Sequence, residues 1–124
     1  MPAINVHLFR ESDGTVPLLE WLDSLKPPKV VAKCRVLLEL LKAAGQDLRR
    51  PHADILREEI YELRERVGRV QYQMLYFFHG RGTAIISHGF IKRGAAVDPK
   101  EIDRAVDRKE RLRANPEQHT QEES

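Results

Sequence analysis

The spacing of apolar residues divides the chain into seven predicted elements. In residues 4–9, Ile4, Val6 and Leu8 fall on one side and Asn5, His7 and Phe9 on the other, the period of a half-buried strand. Ser12-Asp13-Gly14 is turn chemistry. Over residues 16–25, Leu18, Leu22 and Leu25 recur at helical spacing, with Pro17 in the first turn, where proline is tolerated. Trp21 joins this helix as a core anchor or as a ring that stacks on a base. Pro27-Pro28 ends it and opens a longer helix over 29–44, with a stripe of Val30, Cys34, Leu37, Leu41 and Ala44 and a stop at Gly45. The two form an αα hairpin with one side to bury. Residues 46–59 read as a connecting loop, in which Arg49-Arg50-Pro51-His52 either touches phosphate or is plain surface.

Residues 60–93 carry three strand-like runs joined by two short glycine-containing turns, GR and GRG, which predicts a three-stranded antiparallel meander. In the first run, Tyr61, Leu63 and Val67 point one way and Glu62, Arg64 and Arg66 the other. In the second, Val70, Tyr72, Met74, Tyr76 and Phe78 share a side. Gln71 and Gln73 oppose them, followed by Leu75 and Phe77, so its second half is apolar on both faces, as in a covered central strand. In the third, strict alternation puts Ile85 and Ile91 on one side and Ala84, Ile86, His88, Phe90 and Lys92 on the other. Asp98-Pro99-Lys100-Glu101 is a helix start, Asp98 as cap and Glu101 reaching back as in a capping box. That helix runs to residue 113 with a thin stripe of Ile102, Ala105, Val106 and Leu112. Asn115-Pro116 stops it, and residues 116–124 read as a disordered tail. The order β, α, α, three antiparallel β, α makes a single α+β domain over residues 1–115.

Charge sharpens this picture. The net charge of +2 is mild, yet between Arg64 and Arg93 there are six basic residues (Arg64, Arg66, Arg69, Arg81, Lys92, Arg93) and one acid, Glu65. A compact sheet with that imbalance is a surface for a polyanion. The lone Cys34 cannot form an internal disulfide, so a reducing compartment fits, and its apolar neighbours make it a small buried hydrophobe. No basic segment leads a long apolar run at the start, and no run approaches the ~20 residues of a membrane span. The expectation is a cytoplasmic protein without a membrane association. The five histidines are scattered and offer no metal-ligand spacing, so neither a metal nor another cofactor is expected.

IYELR at 60–64, YQMLYFF at 72–78 and HGFIK at 88–92, followed by a proline-led charged helix, resemble the RelE/ParE toxin superfamily, closest to the phage-derived, HigB-like branch of type II toxin–antitoxin systems. The resemblance covers residues 4–113. It implies a RelE-like fold, a ribosome-dependent endoribonuclease acting on mRNA, and a co-encoded antitoxin with a helix-turn-helix; other members of the superfamily poison DNA gyrase. Where the family usually carries arginine after the tyrosine, this chain has Gln73, which is neutral and cannot counter phosphate charge. The alternatives are a toxin-fold protein that binds antitoxin or RNA with little or no catalysis, and a gyrase-directed toxin.

Cutting RNA without a metal uses the neighbouring 2′-hydroxyl as nucleophile, so the protein must orient it, neutralise charge on the phosphate and protonate the leaving 5′-oxygen. Arg64 can grip two phosphate oxygens or pair with Glu62 or Glu65. Lys92 can flank the same phosphate or protect a strand edge. His88 can exchange protons near neutral pH or be a structural histidine. Tyr72 can donate a proton or stack, or pack in the core. Glu62, beside Arg64, can act as a base. Arg66, Arg69, Gln73 and Arg93 are the expected RNA contacts around these four catalytic candidates.

Overall fold

The computed structural model describes residues 3–122. Its elements in chain order are β1 (Asn5–Phe9), α1 (Pro17–Ser24), α2 (Pro28–Ala44), a 3-10 turn (Gly45–Asp47), β2 (Ala53–Ile55), β3 (Tyr61–Val67), β4 (Val70–Phe78), β5 (Thr83–Lys92), α3 (Pro99–Ala114), α4 (Pro116–His119) and β6 (Thr120–Glu122). The strands form one six-stranded sheet in the order β2-β3-β4-β5-β1-β6. β1 runs parallel to β5, and every other neighbouring pair is antiparallel. The protein is therefore α+β with a mostly antiparallel sheet.

Each face of the sheet buries its own core. Leu18, Leu22, Val30, Cys34, Leu37, Leu38 and Leu41 from α1 and α2 pack on Val6, Leu8, Leu63, Tyr72, Met74, Tyr76, Ala84 and Ile86. Ile102, Ala105 and Leu112 of α3 cover Phe9, Ile60, Leu75, Phe77 and Ile85 on the opposite face. β4 thus feeds both cores, as its doubly apolar second half predicts. Cys34 is fully buried, and burial pushes its thiol up to about 11, which makes it inert.

Strict alternation fails in β5. The register slips between Leu75 and Tyr76, which face His88 and Ile86, so Ser87 is an extra residue in β5. The bulge exchanges faces. Ala84 and Ile86 lie with α1 and α2, whereas His88, Phe90 and Lys92 lie on the α3 face; Ile85 and Ile91 are separated in the same way. Gly89, just beyond the bulge, receives the Trp21 ring. A Cβ built there would lie 2.1 Å from Trp21 Cε3. Trp21 is thus a packing residue, tilted against Tyr72 at 6.4 Å between ring centroids.

Two further expectations are corrected. The loop expected over 46–59 contains β2, which pairs with β3 through Ala53–Leu63 and Ile55–Tyr61. The tail expected to be disordered from residue 116 forms α4 and β6 over 116–122. Asn115 caps α4 through Gln118 N, His119 stacks on Phe9 at 5.1 Å, and β6 pairs with β1. Residues 123 and 124 lie outside the described residues. α3 closes the last gap in its stripe with Lys109, buried at 6% exposure, whose ammonium donates to the Glu58 carbonyl. This bond holds a turn in which Glu58 and Glu59 both take left-handed backbone, φ 55° and 60°.

Candidate functional site

The α3 face of the sheet is apolar only where α3 lies on it. Towards the β3–β4 turn it becomes polar, because the strand period there brings Glu62, Arg64 and Arg66 of β3 across from Leu75, Gln73 and Gln71 of β4. Gln73 and Gln71 in turn face Phe90 and Lys92 of β5. Arg64 and Lys92 therefore share one face with β4 between them. Lys92 is level with Arg66, two residues along from Arg64, so two strand spacings and that offset put the Arg64 and Lys92 backbones roughly 12 Å apart, within which both long side chains can reach one phosphate.

Two hollows open on this surface. One, of about 420 Å³, is lined by Pro51, His52, Arg64, Glu65, Arg66 and Gln71. The other, of about 210 Å³, is lined by Phe90, Ile91, Lys92, Arg93, Asp98 and Glu101. β2 places the first hollow's wall, since the His52 carbonyl accepts from Arg64 N. Between the hollows lies a buried pair. Gln73, 1% exposed, donates from Nε2 to Glu62 Oε1 at 2.7 Å. Burial raises the Glu62 carboxyl above the usual carboxylate range; Arg64 and Lys92 pull it down without cancelling that effect, and Asp54 adds to the rise.

The sequence-predicted residues divide into three sets. Arg64, Arg66, Gln73, Lys92 and Arg93 gather around the two hollows. Arg69 stands in the exposed β3–β4 turn at their end. Tyr72 does not join them. It faces α1 and α2, 7% exposed, in the opposite core, because one residue along a strand reverses the side.

His88 is on the right face but is enclosed. Its Nε2 lies 2.9 Å from Glu101 Oε1 and its Nδ1 lies 2.8 Å from Ser87 Oγ. Burial, with Arg108 and Arg104 nearby, pushes it down to about 3, outweighing the proton-favouring Glu101 carboxylate. A neutral ring donating from Nε2 to Glu101 and accepting at Nδ1 from Ser87 satisfies all four groups. Glu101 does not reach back as a capping box: its carboxylate takes His88 and Arg104 instead, and Asp98 alone caps α3 through Lys100 N.

Sequence reasoning left Gln71 and Phe90 without a role at the site, and gave His52 only as part of the stretch Arg49-Arg50-Pro51-His52 that touches phosphate or is plain surface. Gln71 and Phe90 were legible in the strand period once the bulge was known; for His52 the only signal was its place beside Arg49-Arg50. Among the described residues no group of three His, Cys, Asp or Glu could hold a metal ion, and no helix is long and apolar enough to cross a membrane.

No curated protein matches the chain. The sequence profile of the phage-derived Gp49-like proteins (DUF891) matches residues 20–110, from α1 through most of α3, and so spans every strand that lines the two hollows. The chain belongs to this phage-derived Gp49-like family, a toxin-like family associated with toxin–antitoxin systems.

Proposed function

We propose that the protein is the toxin of a type II toxin–antitoxin pair and that it cuts mRNA on the ribosome by metal-free attack of the RNA 2′-hydroxyl. The observation that carries this reading is the shared polar face, on which Arg64 and Lys92 flank the Glu62–Gln73 pair between two hollows. The strands fix these groups before RNA arrives, so their alignment costs little when it binds. Arg64 clamps two phosphate oxygens, and Lys92 offsets the charge that builds on the phosphorus-bound oxygens in the transition state. Arg66, Arg93 and Arg69 extend the positive track along the RNA backbone, and Phe90 offers a ring for a splayed base. A co-encoded antitoxin with a helix-turn-helix would cover this face, and the site of action is the cytoplasm.

Induced expression in bacteria should arrest growth and leave discrete mRNA 5′-ends within translated frames. Normal growth with intact transcripts refutes the reading, and DNA damage signalling with intact transcripts selects a gyrase-directed toxin instead. The antitoxin is expected to co-purify with the protein when the neighbouring gene is co-expressed.

A second reading rests on Gln73. A neutral amide in the middle of the cationic face leaves less charge to meet the phosphate, which favours a protein that grips RNA or antitoxin without cutting. Gln73→Arg discriminates the two: toxicity gained from an inert parent supports the binding-only reading, and an active parent removes it.

A further inference from the structure

Resting on the nuclease reading, we infer that Glu62 is the group that takes the proton from the attacking 2′-hydroxyl, held in place by Gln73 as a positioning residue. The geometry singles Glu62 out. It is the one acid that points onto the polar face from β3, between Asp54 of β2 and the β4 strand, and Gln73 ties down its Oε1. Among the described residues, the sealed polar side-chain atoms without a partner are His7 Nδ1 and Gln73 Oε1. Glu62 Oε2 makes no hydrogen bond and is not one of them, so it keeps some exposure to solvent. One carboxylate oxygen is therefore anchored and the other is free to take a proton.

His88 competes poorly for this role. Both its nitrogens are engaged, and a proton added at Nδ1 would break the bond accepted from Ser87. The charged and titratable groups facing Glu62 are Asp54 from β2, Arg64 on its own strand and Lys92 from β5. His88 lies in the same cross-strand row as Glu62, two strands away beyond Leu75, bonded to Glu101 of α3, which also holds Arg104. Burial outweighs the two cations, so the carboxylate is a stronger base than an exposed one.

The role of Gln73 follows from its charge. An amide donates to Glu62 whether the acid is ionised or protonated, because Oε1 accepts in both states. It orients the base and favours its ionised form only weakly, its bond being the smallest of the effects on Glu62. A cationic side chain in that place would hold Glu62 ionised and weaken it as a base. In the step itself, the 2′-hydroxyl proton passes to Glu62 Oε2 as O2′ bonds to phosphorus. The P–O5′ bond breaks, the 5′-oxygen takes a proton from solvent, and Glu62 later returns its own to solvent. The products are a 2′,3′-cyclic phosphate and a 5′-hydroxyl.

The test compares the full-length protein with Glu62→Gln and Gln73→Arg on ribosomes programmed with mRNA, across pH. Glu62→Gln should cut roughly 100-fold more slowly or worse, while binding an RNA blocked by a 2′-deoxy nucleotide at the cleavage site at least as tightly as the parent, because the change removes a negative charge and no phosphate contact. Gln73→Arg should move the acid limb of the rate profile to lower pH, a change that a merely structural role would not produce. Carbon-detected NMR of the free protein should place the Glu62 carboxyl above the ordinary range in the parent and lower in Gln73→Arg. A parent that cuts while Glu62→Gln cuts equally well overturns the role of Glu62 alone; so does a Glu62 that titrates in or below the ordinary range. A parent that leaves mRNA whole on the ribosome overturns the nuclease reading, and the role of Glu62 falls with it.

Discussion

His88 should make the protein lose stability on mild acidification. Its side chain is nearly sealed at 5% exposure, and its folded value of about 3 lies far below the ordinary 6.5. The unfolded chain therefore takes up a proton that the folded chain refuses. The stabilisation is fully present above pH 6.5 and is lost as pH falls from there towards 3. For one such group the loss between pH 7.5 and 5.5 is about 1.4 kcal/mol. Glu62 acts with the opposite sign, because a raised carboxyl is stabilised as pH falls, so the parent's curve alone mixes the two effects. The comparison with His88→Gln isolates the histidine, since glutamine can still meet Glu101 without titrating. Urea unfolding followed by the fluorescence of Trp21, the single tryptophan, should give a parent midpoint that falls by about 0.7 M more than the variant's, for an m-value near 2 kcal/mol/M. Parallel pH curves for the two proteins would refute the argument and return His88 to service as a proton donor.

Three other outcomes follow from the packing and the charge. Gly89→Ala drives a methyl into the Trp21 ring and should destabilise by about 1–3 kcal/mol in urea or thermal melts. Deleting residues 116–124 removes β6 from β1 and His119 from Phe9, and should lower the melting temperature rather than leave it unchanged as a free tail would. Arg64→Gln and Lys92→Gln should each weaken RNA binding and reduce the slope of log affinity against log salt by about 0.7, the value for one contact to a single strand; an unaltered slope would place the RNA elsewhere.

The periodic parts of the fold were legible because each buries a regular face. α1, α2 and α3 start and end within two residues of their apolar stripes and proline boundaries, and β3 shows the expected sides. The illegible parts break local periodicity or draw their stability from distant chain. Ser87 adds a residue to β5, and no residue type there announces it, so His88 and Ile86 seem to share a side until the pairing with Leu75 and Tyr76 is known. β2 and β6 have three residues each, too few for a period, and exist because β3 and β1 offer them open edges. The Arg64–Lys92 face follows from the strand pattern of β3 with the bulge in β5. The depth of Glu62 and Gln73 does not, because their burial depends on how α3 and β2 close around the sheet. Tyr72 shows the reverse error: the resemblance to toxins drew attention to it, whereas its apolar side already pointed to the core.

Reconstituted cleavage tests the central claim most directly. With purified ribosomes carrying a defined mRNA, the parent protein should release fragments ending in a 2′,3′-cyclic phosphate, and Arg64→Gln should reduce their yield at least 100-fold while keeping the parent's melting temperature. Intact mRNA with the parent, or fragments made equally well by Arg64→Gln, would contradict it.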